Sequence, residues 1–275
     1  MRYRLAKRWS LFGLLCAITV TINFPIIVLI ANSFQTTEQM LATANIFPRT
    51  FTFANFEFIS GRTPFWTFLI NSAVLSGGGT ILGALPAAWA GYALSRFRGR
   101  GLSLYGRLLL VVQMFPIIVA LIPLFILFRV LGLINNPLSV MIIHAVIHLP
   151  FATWLMRSYF DTIPRELEEA AQVDGCTRVG ALRRILLPLS GPGIAAVLIF
   201  SFLQSYNEFF IASVFLRDVE VMPIPVGIQM FMQQYSTDWG SLMAAATVTM
   251  IPTFVLFLFV QKWIAYGAVA GGVKG

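Results

Sequence analysis

The sequence predicts an all-α polytopic membrane protein with six transmembrane helices, and three observations support this fold class. Hydrophobic residues make up 58% of the 275 residues and charged residues only 11%, whereas a soluble domain carries about a quarter charged residues. Long stretches with few or no charges recur along the chain, and its mean hydropathy is +0.81. Lys and Arg cluster in alternate connections between these stretches. Together these features argue against a water-soluble globule.

The predicted spans form one transmembrane domain, residues 1–275. Each is long enough to cross about 30 Å of hydrocarbon, and charge avoidance is expected because a charge at mid-bilayer costs about 2.5–3.5 kcal/mol. The spans cover approximately residues 10–33, 65–94, 105–131, 138–160, 189–216 and 240–265. Prolines inside them predict kinked helices, since neighbouring helices can satisfy the freed carbonyls. They are Pro25, Pro86, Pro116, Pro123, Pro150 and Pro252.

The distribution of positive charge predicts the orientation. Most of the 19 Lys and Arg residues lie at the termini, between the second and third spans, or between the fourth and fifth. The positive-inside rule therefore places both termini in the cytoplasm, with an external loop at residues 34–64 and a charged cytoplasmic loop at residues 161–188. The first span begins like a signal peptide and contains Ala31-Asn32-Ser33, but it is about twice the usual core length, so we expect it to be retained.

Several functions are excluded by composition. The three lysines, Lys7, Lys262 and Lys274, never follow glycine, so the chain has no P-loop and cannot hydrolyse ATP by that route. Cys16 lies in a predicted membrane span and Cys176 in the predicted cytoplasmic loop. This separation implies neither a disulfide framework nor a cysteine metal site. No metal site is expected. The net charge of +8, given its placement, favours membrane lipid over nucleic acid as a partner.

The charged loop contains a short predicted helix. Pro164 suits its first turn, acidic residues suit its positive end, and Gly175 suits a left-handed stop. Leu167, Ala170 and Ala171 form a narrow apolar face flanked by glutamates. A membrane-surface helix normally carries bulky apolar and basic residues, so the pattern favours docking in a groove of another protein over a solvated connector.

The spacing Glu169-Ala170-Ala171, Gly175, Ile185 and Leu187-Pro188 resembles the EAA loop of membrane subunits of ATP-binding-cassette importers. Further segments resemble the carbohydrate-uptake subgroup, the maltose-transporter-like permeases. These segments are Asn71-Ser72, Tyr92-Ala-Leu-Ser-Arg-Phe97, Met114-Phe-Pro116, Leu131-Gly-Leu133, Asn207-Glu-Phe209, Pro225-Val-Gly227, Asp238-Trp-Gly240 and Gly271-Gly-Val-Lys-Gly275. Tyr206 and Cys176 depart from the family, which often has Trp and Ala there.

The resemblance implies a type I importer permease of the bacterial inner membrane. Its implied partners are a second, similar permease, two cytoplasmic ATPase subunits and an external solute-binding protein. This chain would bind no cofactor, and ATP and Mg would lie on the ATPases. The implied ATPase-coupling residues are Glu168, Glu169, Ala170, Ala171, Asp174, Gly175, Ile185, Leu187 and Pro188. A further ATPase contact is implied for the tail residues Gly271, Lys274 and Gly275.

Polar residues inside the membrane mark a second candidate site. Ser201, Gln204, Ser205 and Glu208 fall on one helical stripe of the fifth span, with Asn207 beside it. Lipid exposure would be unfavourable, so the stripe lines the translocation path or packs against the partner permease. His144 and His148 share a face of the fourth span, but Ala145 replaces the glutamate of a zinc-protease motif. A structural or path-lining contact is expected for these histidines.

Two other functional classes remain as alternatives. An ion-coupled secondary transporter would need ionisable relays or ion sites near the midplane, and one glutamate with two histidines is little provision for them. A membrane enzyme would need a nucleophile–base or metal-ligand constellation, which the sequence does not display. The identity of the transported sugar does not follow from this sequence.

Overall fold

The computed structural model describes residues 2–42, 47–232 and 237–272. Helix accounts for 81% of the described residues, which contain a single isolated β-bridge, Met232 to Thr237, and no strand. The predicted all-α class is confirmed. The first seven helices are α1 Arg2–Asn32, α2 Thr37–Ala42, α3 Ala54–Gly61, α4 Phe65–Arg96, α5 Arg100–Met114, α6 Ile117–Val130 and α7 Pro137–Thr162. The others are α8 Glu166–Val173, α9 Arg178–Ala181, α10 Leu187–Leu189, α11 Gly191–Tyr206, α12 Phe210–Phe215, α13 Ile224–Gly227 and α14 Trp239–Gly272.

Among the described residues, four helices are individually long and apolar enough to cross a membrane. They contain residues Arg8–Asn32, Phe65–Arg96, Pro137–Thr162 and Trp239–Trp263. Two bent pairs, Arg100–Met114 with Ile117–Val130 and Arg178–Leu189 with Gly191–Tyr206, raise the number to six if each pair counts as one span. The polytopic helical architecture agrees with the prediction, but two of the six stretches are broken.

The third stretch is bent by 100° between α5 and α6. Phe115 and Pro116 are both extended, with ψ of 126° and 117°. A residue before proline is driven out of the helical region by the proline ring, so the chain turns sharply here. The sequence predicted only a kink within a continuous helix over residues 105–131.

The fifth stretch is also discontinuous. Helix α11 ends at Tyr206, Asn207 to Phe209 are not helical, and α12 starts at Phe210. A helical stripe running through Glu208 is therefore wrong, because Glu208 lies after the end of α11. Before α11, a π-helical turn at Leu182–Leu186 leads into Pro188, which cannot donate a backbone hydrogen bond.

The chain divides into two compact units. One comprises residues 1–65 and 228–251, and the other residues 66–227 and 252–275. In the larger unit, a hydrophobic cluster that includes Tyr92, Met156, Phe160, Leu182 and Leu186 packs the ends of α4 and α7 against the charged loop. A second cluster joins α6, α7 and α12 around Phe128 and Phe215.

The smaller unit is organised by a polar network around Asp238. The carboxylate of Asp238 accepts hydrogen bonds from Thr37 Oγ1 at 2.8 Å and from the backbone N–H of Ser241 at 3.1 Å. Burial opposes ionisation, but the hydrogen bonds from Ser241 and Thr37 outweigh it and lower the pKa of Asp238. A Cβ at Gly240 would lie 2.6 Å from the side chain of Asn55, so the Asp-Trp-Gly segment requires glycine for close packing.

Candidate functional site

Helix α8 lies in the charged loop as its sequence predicts, although Pro164 precedes the helix instead of occupying its first turn. It runs from Glu166 to Val173, and Gly175 follows with φ of +87°. The backbone N–H of Gly175 donates to Gln172 O at 3.1 Å, and that of Cys176 donates to Ala171 O at 2.9 Å. The predicted left-handed stop at Gly175 is confirmed. A Cβ there would meet nothing within 4 Å, so glycine is required for conformation and not for space.

The two adjacent glutamates of α8 face different surroundings. Glu168 is buried, with 7% of its surface exposed, whereas Glu169 is exposed. Arg96 Nε donates to Glu168 Oε2 at 3.0 Å, and the Tyr92 hydroxyl donates to Glu168 Oε1. Glu168 therefore attaches α8 to the end of α4, and its carboxylate is not available on the outer surface of the loop.

The Arg96 guanidinium extends this attachment with two further bonds. Its terminal nitrogens donate to Ile163 O at 2.9 Å and to Ser95 Oγ at 3.1 Å. Ser95 Oγ in turn donates to Asp161 Oδ1 at 2.6 Å, and Arg165 donates to Ser95 O at 3.1 Å. The end of α4 is thus hydrogen-bonded to residues on both sides of the start of α8.

The outward side of α8 carries a mixed surface, which we call the α8 outer face. Its exposed residues are Glu166, Leu167, Glu169, Ala170, Gln172 and Val173. Leu167 is 44% exposed and Val173 is 87% exposed. The predicted apolar face is divided, since Leu167 and Ala170 point outward and Ala171 is buried. A pocket of about 200 Å³ beside this face is lined by Arg96, Phe97, Arg165, Glu168, Glu169, Gln172 and Arg178.

The remaining residues of the loop pattern differ in burial. Asp174 and Pro188 are exposed, whereas Ile185 and Leu187 are half-buried and pack against the cluster that contains Tyr92 and Phe160. Ile185 and Leu187 therefore anchor the second half of the loop in the protein interior. Of the tail residues, Gly271 lies in the last turn of α14, and Lys274 and Gly275 lie outside the described residues.

The polar residues of the fifth stretch are separated by the break after α11. Ser201 and Ser205 are buried, and His148 Nε2 is 3.0 Å from Ser205 Oγ. Gln204 and Asn207 are exposed. The predicted single stripe is therefore divided, because Ser201 and Ser205 are buried, Gln204 is exposed, and Glu208 lies beyond the end of α11.

Glu208 lies two residues before α12 and caps its first turn instead of extending α11. Its two carboxylate oxygens accept from the backbone N–H groups of Ile211 at 2.8 Å and Ala212 at 3.2 Å. His144 Nε2 lies 3.6 Å from Glu208 Oε2. Helix N-termini favour nearby negative charge because their first N–H groups lack partners. Within the described part of the chain, no group of three or more His, Cys, Asp or Glu side chains could hold a metal ion.

The opposite end of α4 is attached to a later segment by backbone contacts. Asn71 Nδ2 donates to Glu220 O at 2.8 Å and to Met222 O at 3.0 Å. Ser72 Oγ accepts from the backbone N–H of Ile224 at 2.8 Å. The ring of Phe68 lies directly against Gly227, where a Cβ would clash with it. The Asn-Ser and Pro-Val-Gly segments of the sequence thus meet each other.

A family comparison identifies the transport class to which this arrangement belongs. Residues 79–267 match the family described as "Binding-protein-dependent transport system inner membrane component". The chain belongs to this family. It is accordingly a multi-pass inner-membrane permease subunit of an ABC importer, not the ATPase, and its family implies an ATPase and a substrate-binding protein as partners.

Relatives of this permease cover nearly its whole length. It is 34% identical over 253 residues to the sulfoquinovosyl glycerol transport system permease protein SmoH of Agrobacterium fabrum, covering 92% of this chain and 89% of the relative. It is 32% identical to the maltose/maltodextrin transport system permease protein MalG of Vibrio vulnificus, covering 100% and 97% of the two chains. These matches give no support to an ion-coupled carrier.

A solved structure shares the fold of the permease. A chain from a bacterial ABC transporter involved in the import of the acidic polysaccharide alginate superposes with a TM-score of 0.79 at 23% identity. The superposition covers 95% of this chain and 98% of the other. The predicted type of fold is therefore confirmed by a structural match of nearly full length.

Sequence reasoning missed Tyr92 and Arg96 as partners of the charged loop. Both occur in the segment Tyr92-Ala-Leu-Ser-Arg-Phe97, which had suggested the family but had no assigned role. Arg96 was counted only as a positive charge beside a span. An arginine and a tyrosine at the end of one helix could have indicated a carboxylate partner in the loop, because their donor groups require an acceptor when they are buried.

Proposed function

We propose that this permease imports a sugar or sugar derivative together with a second, similar permease, two ATPase subunits and an external solute-binding protein. The names of the relatives support the substrate class, since they refer to sulfoquinovosyl glycerol and to maltose or maltodextrin. The distribution of Lys and Arg supports cytoplasmic termini, which place α8 on the ATPase side. The substrate then follows a path between the two permeases.

The docking site for the ATPase in this proposal is the α8 outer face. The observation that carries it is the exposure of Glu169, Ala170 and Val173 on a helix whose opposite side is fixed by Glu168 and Ala171. Small and acidic groups on a short, rigid helix fit a cleft with a basic wall. Asp174 and Gly175 extend this face, whereas Glu168, Ile185 and Leu187 act from beneath it. Residues 271–275 supply a second ATPase contact.

Transport follows from rigid-body switching. Closure of the two ATPase subunits around ATP displaces α8 in each permease, and the permease pair changes from inward-open to outward-open. The permease itself performs no covalent chemistry. Gln204 and Asn207 line the substrate path, because exposed polar side chains beside α11 are unfavourable against lipid.

Site-directed crosslinking tests the docking proposal. In the assembled transporter lacking native cysteines (Cys16→Ala, Cys176→Ala), Val173→Cys is expected to crosslink to the ATPase subunit. Ala171→Cys is the matched control, because it lies on the buried side of the same helix. Equal crosslinking of both positions, or none from Val173→Cys, would contradict docking through the α8 outer face.

The substrate class is tested on the solute-binding protein of the same transporter. Calorimetric titration with mono-, di- and oligosaccharides and with sulfonated sugars is expected to identify a ligand. Uptake of that ligand is then expected to require ATP and this permease. A binding protein that ignores carbohydrates and binds an amino acid would refute the sugar assignment while leaving the family unchanged.

A further inference from the structure

The attachment of α8 to α4 is made by a pair of charges removed from solvent. The side chains of Arg96 and Glu168 are only 7% and 9% exposed, and they meet at 3.0 Å. Removing one partner from a buried pair leaves the other charge without compensation, which is strongly unfavourable. We call this pair the joint between α8 and α4, meaning a rigid attachment, because breaking it from either side leaves a buried charge unpaired. The Tyr92 hydroxyl donates to the second oxygen of the same carboxylate and fixes its orientation.

This joint is the principal polar connection of α8. Among the described residues, Glu168 is the one residue of α8 whose side chain is hydrogen-bonded to another helix. The side chain of Gln172 donates to Glu168 O, which lies within α8 itself. Arg96 also binds Ile163 O through its planar guanidinium, a geometry that lysine cannot reproduce. The position of α8 relative to α4 is thus set by Arg96 at several points.

At its other end, α4 holds the segment of residues 220–227. Asn71 and Ser72 bind that segment through its backbone, and Phe68 packs on Gly227. Helix α4 is continuous between these residues and Arg96, which corresponds to roughly 36 Å at 1.5 Å per residue. One helix therefore connects the ATPase-facing loop with a segment near the opposite side of the membrane.

We propose that Glu168, Arg96 and Tyr92 are positioning residues that join α8 and α4 into one rigid body, through which displacement of α8 reaches residues 220–227. This inference rests on the proposed ATPase docking at the α8 outer face, but it assigns the transmission step to a different and buried set of side chains. Hydrogen-bonded side chains and a continuous helix can carry coupling between distant sites, and a double-mutant cycle measures whether they do.

A double-mutant cycle in the complete transporter tests the joint. Arg96→Gln and Glu168→Gln are each expected to raise the number of ATP molecules hydrolysed per solute imported by roughly 5- to 150-fold, the usual range for a coupling interaction. The double variant Arg96→Gln with Glu168→Gln has no unpaired charge and can form a neutral hydrogen bond. It is expected to be better coupled than either single variant, a non-additivity that identifies direct pairing.

The matched control is the second arginine–carboxylate pair of this region. Arg157 lies 3.5 Å from Asp161 within α7 and both are substantially exposed, so Arg157→Gln is expected to leave the ratio of ATP to solute unchanged. A second readout is a fluorescent label at Val221, whose environment should change on ATP binding in the wild type and respond at least about fivefold less in Arg96→Gln.

The possible outcomes separate the two proposals. If the variants still copurify with the ATPase but consume more ATP per solute, the joint transmits the movement. If both single variants retain the wild-type ratio, or if their effects simply add in the double variant, the joint is refuted while docking stands. If Val173→Cys does not crosslink to the ATPase subunit in a transporter that keeps Arg96 and Glu168, docking through the α8 outer face is refuted instead.

Discussion

Glu168 and Glu208 are both acidic side chains set among apolar helices, yet their surroundings differ in kind. Glu168 pairs with an arginine, which is always charged, and with a tyrosine hydroxyl. Glu208 binds two backbone N–H groups of α12 and lies near the His144 side chain. The first carboxylate joins two separate helices. The second chiefly starts a new helix where the previous one has ended.

Truncation of Glu168 is expected to have the largest effect. Glu168→Ala leaves Arg96 buried without its counter-charge and should reduce the free energy of unfolding by about 3 kcal/mol. Thermal unfolding of the purified protein in detergent measures this loss. Glu169→Ala, on the exposed side of the same helix, should change stability by less than about 0.5 kcal/mol. Similar losses for the two variants would remove the distinction between the glutamates.

Truncation of Glu208 should have an intermediate effect. Glu208→Ala removes the acceptor of two N–H groups at the start of α12, and losing such a cap costs about 1–2 kcal/mol. Glu208→Gln keeps one oxygen acceptor and should be milder. The comparison is made by thermal unfolding under the same conditions as for Glu168. A larger loss for Glu208→Ala than for Glu168→Ala would reverse the order proposed for the two sites.

Substitution at Gly175 tests the end of α8 without altering Glu168. Gly175→Ala places a Cβ at φ of +87°, which is expected to cost about 1 kcal/mol because the left-handed conformation disfavours L side chains. Gly175→Asn should cost less, since asparagine tolerates this conformation. Both variants are compared by thermal unfolding. A large loss of stability in both variants would mean that lack of space, and not backbone conformation, requires glycine here. That result would contradict the open space around the position of a Cβ at residue 175.

Asp238 supplies a third case, a carboxylate whose partners are neutral donors, and its effect should be the smallest. Its pKa is lowered in the folded protein, so its stabilisation is present above the unfolded pKa, about 4, and is lost as pH falls through the lower folded value. Unfolding temperatures from pH 7 to pH 3 should therefore fall more in the wild type than in Asp238→Asn. Parallel curves would contradict a role for the ionised carboxylate.

The helical spans were largely predictable, because a segment that crosses a membrane must be apolar over about 20 residues and must avoid charged side chains. The stop at Gly175 was predictable for a local reason, since few residues other than glycine adopt a left-handed conformation readily. The burial of Glu168 in place of Glu169 was not predictable from the sequence. Adjacent helical positions differ in direction by about 100°, and the partner that selects Glu168, Arg96, lies far away in the chain. The break after Tyr206 carries no proline or glycine, and Glu208 defines it only through its contacts with α12.

The hydrogen bonds that join Asn71 and Ser72 to residues 220–224 are made to backbone atoms of that segment. The side chains of Glu220 and Met222 can consequently vary without loosening the attachment to α4. The exposed surface of that segment and its attachment to α4 are thus determined by different atoms, side chains in the first case and main chain in the second.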